Sequence, residues 1–307
     1  LIWTEWFVPF VQAFVDAPSF DPWTDFVASG GNPLSYPYGP VMLAANAVAV
    51  AIGEGISALT GWSHAPVLGF GLSLLVADLA ILLSVARLAK DWSWRILLLY
   101  WLSPLAIYIC SFHGQVDVIP LAILMAGLVA LGDRKAGLAG ACFGLAVAAK
   151  LTFVLACPLP LIFLWRSKRR RPMLLPFFLW MAGAFLLFQA PWFLSAGVHR
   201  MTLANPNAST FFGFAIEMAP YYVIYVAPLG YALFLYSLWR LERLSFDLLI
   251  AGTGLAFLVA VMLTPATVGW YMWVVPFLAL HQRAFGKSAL AMTALYSFGI
   301  IAFHLVF

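Results

Sequence analysis

The sequence predicts an all-α, polytopic transmembrane protein, and three observations carry that prediction. Hydrophobic residues make up 64% of the 307 positions, charged residues only 9%, and the mean hydropathy is +0.97; a soluble chain of this size needs more charge to keep its surface wet. Apolar windows recur along most of the chain, separated by Pro, Gly and charge. All but two of the 16 basic residues fall in short clusters between those windows, the arrangement that orients membrane loops. The pI near 9.0 therefore reports topology, and no nucleic-acid partner is expected.

Residues 1–65 contain no Lys or Arg but do contain Glu5, Asp16, Asp21, Asp25 and Glu54. Positive-inside reasoning makes this stretch a long outer first loop, with its helix-like piece 39–58 lying in the interface or re-entering. Residues 66–307 form a multi-spanning domain of about 10 membrane segments, at 66–86, 96–112, 118–132, 137–149, 151–165, 174–195, 220–239, 246–263, 269–281 and 288–307. The pair 137–149 and 151–165 falls short of the ~20 residues of a perpendicular crossing, so a broken hairpin with its apex inside the membrane is expected there. Basic clusters at 87–95, 134–135, 166–171, 240–243 and 283–287 are separated by even numbers of segments. All five therefore face the cytoplasm together. The opening "LIWTEW" has neither a methionine nor a basic leader, and a further segment, a first transmembrane helix, is expected upstream.

The remaining connections, 113–117, the apex at 150, 196–218 and 264–268, then share the outer face with the first loop. Two basic residues break the clustering, Lys150 and Arg200 in "GVHRMTLANPNAST". A cation in apolar surroundings needs an anion: either a carboxylate such as Asp117 or Glu217, or a phosphate or pyrophosphate. "SFHGQVDVIP" adds His113, Gln115 and Asp117 between two apolar runs. Asp78 in "LLVADLAILL" is an intramembrane acid whose cost points it into the protein interior in a structural role. Trp3, Trp6, Trp23, Trp62, Trp270 and Trp273 suit an interface belt, with Trp270 and Tyr271 also candidates for stacking on a sugar. Cys110, Cys142 and Cys157 lie inside apolar runs and read as packing. No G-x-G-x-x-G, Walker loop, D-x-D pair or metal-spaced His/Cys set occurs. No cofactor or metal is expected, and an enzyme here needs a donor already linked to lipid.

In their order and spacing these motifs resemble the GT-C superfamily of integral-membrane glycosyltransferases, in particular the lipid-phosphate-sugar-dependent transferases related to the glucosyltransferases of N-glycan assembly. In that family an acidic residue opens a long outer loop that ends at a "YPP" motif; here Glu5 in "WTEWFVPFVQAF" is followed at a similar interval by Tyr36 in "SYPYGP". An "AD" inside the next helix, an "HGHFQYN"-like turn and a Lys after a small apolar helix match Ala77-Asp78, "HGQVD" and Lys150 in "GLAVAAKLTF". The match covers roughly residues 1–165, with 66–165 the closest module, and is only architectural beyond. Two departures stand out: Glu5 replaces the usual Asp, which keeps Asp25 and Asp21 as further candidates, and "YPYGP" replaces the doubled proline.

The resemblance implies an inverting transfer of a sugar from a polyprenyl-phosphate carrier to an acceptor at the outer face of a bacterial inner membrane or its equivalent. Glu5, Asp25 or Asp21 would be the base. Lys150, Arg200 and His113, with His199 beside them, would hold the donor phosphate. Gln115 and Asp117 would bind sugar hydroxyls or orient the loop, and Tyr36, Tyr38, Trp270 and Tyr271 complete the substrate-binding set. The expected partners are membrane lipid, the polyprenyl-phosphate sugar and other membrane subunits. The rival reading is a non-catalytic GT-C-like structural or accessory subunit of a larger membrane complex. A secondary transporter is disfavoured because no internal inverted repeat is evident.

Overall fold

The computed structural model describes residues 3–219 and 221–306, apart from the side chains at 111–113 and 207–208. The chain is mostly helical. Its acidic first stretch folds into α1 (Val8–Asp16), α2 (Pro22–Ala28) and α3 (Pro40–Thr60). Pro40 fits the first turn of α3, where its missing N–H costs nothing, and Gly61 ends the helix at φ +74°. The following helix α4 (Ala65–Ala89) runs back along α3. Gly53 lies against the backbone of Ala65 and Pro66, Gly69 against Ala49, and Ser73 Oγ donates to Asn46 Oδ1 at 2.9 Å. Small residues let these two backbones touch, a packing mode favoured where lipid removes the hydrophobic drive between helices.

Past α4, the expected single segment 96–112 breaks into short pieces at Ser103-Pro104, because a proline cannot continue the ladder of helical hydrogen bonds. Then come α5 (Val118–Gly132), α6 (Ala136–Ala149), a 3₁₀ turn Leu151–Ala156 running into α7 (Pro158–Trp165), and α8 (Leu174–Gln189). An antiparallel hairpin of β1 (Ala215–Ala219) and β2 (Tyr222–Tyr225) precedes α9 (Val226–Arg240). The sequence window 220–239 missed this hairpin because "YYVIYV" is apolar and rich in both β-branched and aromatic residues. Last are α10 (Phe246–Met262), a 3₁₀ stretch Val268–Trp273, α11 (Val275–Phe285) and α12 (Lys287–Val306).

Among the described residues four helices are long and apolar enough to cross a membrane: α3, α4, the run Arg171–Trp192 that contains α8, and α12. The run Leu151–Trp165, α5, α6 and α10 are apolar but shorter. The expected 10 segments are thus not all of crossing length, and α3, expected to lie in the interface, has the length and hydropathy of a crossing. Only 11% of the apolar window in Arg171–Trp192 is buried. Such a surface belongs in lipid, which identifies a membrane protein.

The basic clusters gather at one end of the bundle. Arg87 pairs with Asp133 at 3.3 Å, Arg283 pairs with Asp91, and Gly132 packs against Phe246, which meets Phe163. Arg166 and Arg170 donate to the carbonyls of Leu241 and Leu244. Asp91 lies in the turn after α4, where hydrogen bonds from Ser93 and then the Arg283 guanidinium hold its carboxyl down at about 2.

Candidate substrate cavity

At the other end of α5 and α6 lies a cavity of about 370 Å³, within the range of small-molecule sites. Its walls come from the first loop (Trp6, Tyr38), the turn before α5 (Gln115), the stretch after α6 (Lys150, Thr152), the 196–218 connection (Thr202, Asn205) and the 264–268 turn (Thr267) with Trp270. Each of the five connections assigned to one face by charge therefore contributes to the same cavity. α5 has 15 residues and α6 has 14, so at 1.5 Å per residue the cavity floor is about 22 Å from the basic end. That is less than the ~30 Å hydrocarbon core of a bilayer.

Lys150 sits where α6 stops and the backbone turns extended, at φ −149° and ψ +117°. Its Nζ donates to Asp117 Oδ2 at 2.6 Å, and Trp273 Nε1 donates to the same oxygen at 2.8 Å. Three rings enclose the ammonium: Tyr38 at 5.2 Å, Trp273 at 5.3 Å and Trp270 at 5.7 Å. Of the two partners the sequence left open for Lys150, a carboxylate holds it in this structure. The side chains are 11% and 0% exposed, so the carboxylate is shut off from water, the ammonium keeps a little surface on the cavity, and the pair is formally neutral. Aromatic faces strengthen the cation's position without cancelling its charge.

The first loop reaches this spot through "YPYGP". Gly39 N donates to the Ala149 carbonyl at 2.9 Å, and a Cβ on Gly39 would fall 1.9 Å from the Ala148 carbonyl oxygen. Only glycine allows that approach, which presses Tyr38 over Lys150. Tyr36 lies behind it, stacked on Phe10 at 4.5 Å and accepting from Asn46 Nδ2 at 2.9 Å. It forms the wall rather than the lining. On the opposite side, Gly269 makes room for Gln115: a Cβ there would lie 2.2 Å from the Gln115 Cδ.

Other expected site residues stand apart. Glu5 is exposed in the π-helical turn Trp3–Phe7, one residue before the cavity-lining Trp6. Asp21 caps α2 and accepts from Thr24 Oγ1 at 2.7 Å and Ser195 Oγ at 2.8 Å, which ties the first loop to the 195–198 turn. Asp25, His199 and Arg200 are exposed and outside the lining, although Thr202 and Leu203 of the same π-turn, His199–Leu203, are in it. Tyr271 turns toward Tyr296 and His304 of α12. The His113 side chain lies outside the described residues. The following Gly114 adopts φ +72°, and a Cβ there would strike the Trp3 indole.

The structure adds Trp6, Thr152, Thr202 and Asn205 to the site, and it brings Trp273, expected in an interface belt, onto Asp117. Trp23 and Trp273 are fully buried and Trp270 is 5% exposed, so these three do not form an outward-facing belt, whereas Trp62 is 49% exposed. Asp78 is buried and accepts from the Tyr100 hydroxyl and the Trp101 indole. Thr152 Oγ1 and Thr202 Oγ1 are buried with no hydrogen-bond partner among the described residues. Asp117 Oδ1 likewise makes no hydrogen bond of its own, although the Tyr38 hydroxyl lies beside that carboxylate. Thr152 and Thr202 line the cavity but both hydroxyl oxygens are closed off from it, so each hydroxyl has to turn to meet a polar ligand or water. Aromatic faces, two amides, several hydroxyls and an internally neutralised charge pair make a site that suits a neutral polyhydroxylated group better than a free anion. No protein-family model, curated protein or solved structure matches this chain, so its likeness to the GT-C superfamily rests on the sequence motifs alone.

Proposed function

We propose that the protein is a multi-pass glycosyltransferase that takes a sugar from a polyprenyl-phosphate donor and delivers it to an acceptor at the outer face of a bacterial inner membrane. One observation carries the reading: five separated connections converge on a single aromatic, amide- and hydroxyl-lined cavity at the end away from the basic clusters. Trp6, Tyr38 and Trp270 supply faces for the apolar side of a sugar ring, and Gln115 supplies hydrogen bonds, joined by Thr152 and Thr202 when their hydroxyls turn to the ligand. Glu5 at the rim is the proposed base, since Asp117 is committed to Lys150 and Asp21 to its cap. The donor phosphate, excluded from a neutral pocket, sits toward the rim near His199 and Arg200, and the lipid runs out between helices.

The neutralised Lys150 also supports a second reading, a GT-C-like accessory subunit that keeps the scaffold without the reaction. Fluorescence of the cavity tryptophans distinguishes the two. Under the transferase reading, a short-chain polyprenyl-phosphate hexose binds at least about tenfold more tightly than polyprenyl phosphate or free hexose, and Gly269→Ala removes that difference. Equal response to all three ligands would leave the accessory reading.

A further inference from the structure

The basic end carries a second concavity of different character. α7, α8 and α9 enclose a groove of about 440 Å³ lined by Leu161, Ile162, Trp165, Leu174, Leu175, Phe178 and Trp239. No polar side chain is among them. Trp165, Leu175 and Phe178 are 48%, 63% and 46% exposed, so the groove is open along its side. Its mouth is the densest cationic stretch of the sequence, "RSKRRR".

Three guanidiniums there are held in place without being neutralised. Arg166 lies over the Trp239 ring at 5.8 Å and donates to the Leu241 carbonyl. Arg171 lies over Trp165 at 4.9 Å and donates twice to the Trp165 carbonyl, at 3.3 and 3.2 Å. Arg170 stacks on Phe163 at 3.7 Å and donates to the Leu244 carbonyl at 2.9 Å. Their partners are carbonyls and rings, which fix orientation and leave each formal charge in place. None of the three forms an ion pair with a carboxylate among the described residues. Glu242 in the facing connection is exposed and likewise unpaired with them. Each guanidinium has five N–H donors and uses one or two here, so several remain for a phosphate.

An ordered cationic mouth above a fully apolar, laterally open groove matches one kind of molecule: an anion that carries a long hydrocarbon chain. We propose that this groove is a binding site for an anionic glycerophospholipid, with its phosphate on Arg166 and Arg171 and one acyl chain along Leu175 and Phe178. Diffuse attraction between basic loops and an anionic leaflet acts at every basic cluster. This site differs by joining fixed guanidiniums to a chain-sized groove. It is independent of the proposed transfer reaction.

The test is native mass spectrometry of the full chain in mild detergent, titrated with dioleoyl-phosphatidylglycerol or dioleoyl-phosphatidylcholine. Wild-type protein should retain the anionic lipid about tenfold better. The double variant Arg166→Gln, Arg171→Gln should hold the two lipids equally, whereas Arg87→Gln, Arg95→Gln at the same end should keep the preference. Leu175→Trp, a change at an exposed groove position, should weaken both lipids with the fold intact, as read from an unchanged thermal transition. A preference that survives the Arg166, Arg171 change, or that falls equally in the Arg87, Arg95 control, would overturn the site. So would glycerol 3-phosphate competing as well as the lipid itself, since the groove would then contribute nothing.

Discussion

The two ends of the bundle use the same residue types to opposite purposes. At the basic end Arg87, Arg166, Arg171 and Arg283 are exposed and meet carbonyls, rings or single surface carboxylates. At the cavity end one lysine is buried inside three aromatic rings against one fully buried aspartate. A charge in water is cheap to lose, because solvent replaces its partner, whereas a buried charge that loses its partner has nothing to replace it. The difference teaches that Lys150 is tied into the packing of the bundle, whereas the clustered cations keep most of their charge at the surface.

Breaking the buried pair should have the largest effect. Lys150→Met leaves Asp117 charged and unpaired, at a cost of roughly 3–5 kcal/mol. Adding Asp117→Leu should recover much of that loss, and thermal unfolding of the singles and the double in one detergent measures the coupling. If the double is simply additive, the two residues do not act as a pair. Next comes Gly39→Ala, whose Cβ meets backbone that cannot swing aside; about 1–3 kcal/mol should be lost. Tyr38 should also become accessible to chemical modification, and a variant as stable as wild type with Tyr38 still protected would refute the close approach.

Gly269→Ala sharpens the comparison in another way, because the group it meets is the flexible end of Gln115. The fold should stay within about 1 kcal/mol of wild type. If the proposed transfer takes place in this cavity, its rate should fall by about 10²-fold as the amide leaves its place. The smallest effect belongs to the basic end. Arg87→Gln should change stability by less than ~1 kcal/mol, and salt should erase even that. The Asp91 carboxyl is depressed in the folded protein, so its contribution is present above the ordinary carboxylate range and is lost as pH falls toward about 2. Arg283→Gln should move that loss to higher pH, which an acid titration followed by circular dichroism would detect.

Much of this layout was legible because charge and proline punctuate the chain locally. The clusters at 87–95, 134–135, 166–171, 240–243 and 283–287 located one end of the bundle, and the connections between them supplied the cavity walls. The open choice for Lys150 could be framed but not resolved, since its carboxylate lies 33 residues away and the tryptophan that completes the pair lies 156 residues from that carboxylate. Burial of Trp23 and Trp273 was invisible for the same reason: an aromatic at a membrane boundary and one inside a bundle read alike. Glu5 and Arg200 stand out in the sequence by motif order and by oddity of placement, which say nothing of whether a side chain faces a cavity. The segment 96–112 and the hairpin of β1 and β2 were misjudged because hydropathy alone does not register a Ser-Pro break or a β-rich run.

The most direct measurement is mass spectrometry of lipids that remain with gently purified protein, taken in parallel for wild type, Gly269→Ala and Arg166→Gln, Arg171→Gln. A polyprenyl-phosphate sugar in the wild type and in the arginine variant, depleted when Gln115 is displaced, is the predicted result. Bulk phospholipid alone in all three preparations, or a polyprenyl species indifferent to Gly269→Ala, would contradict the assignment of the cavity.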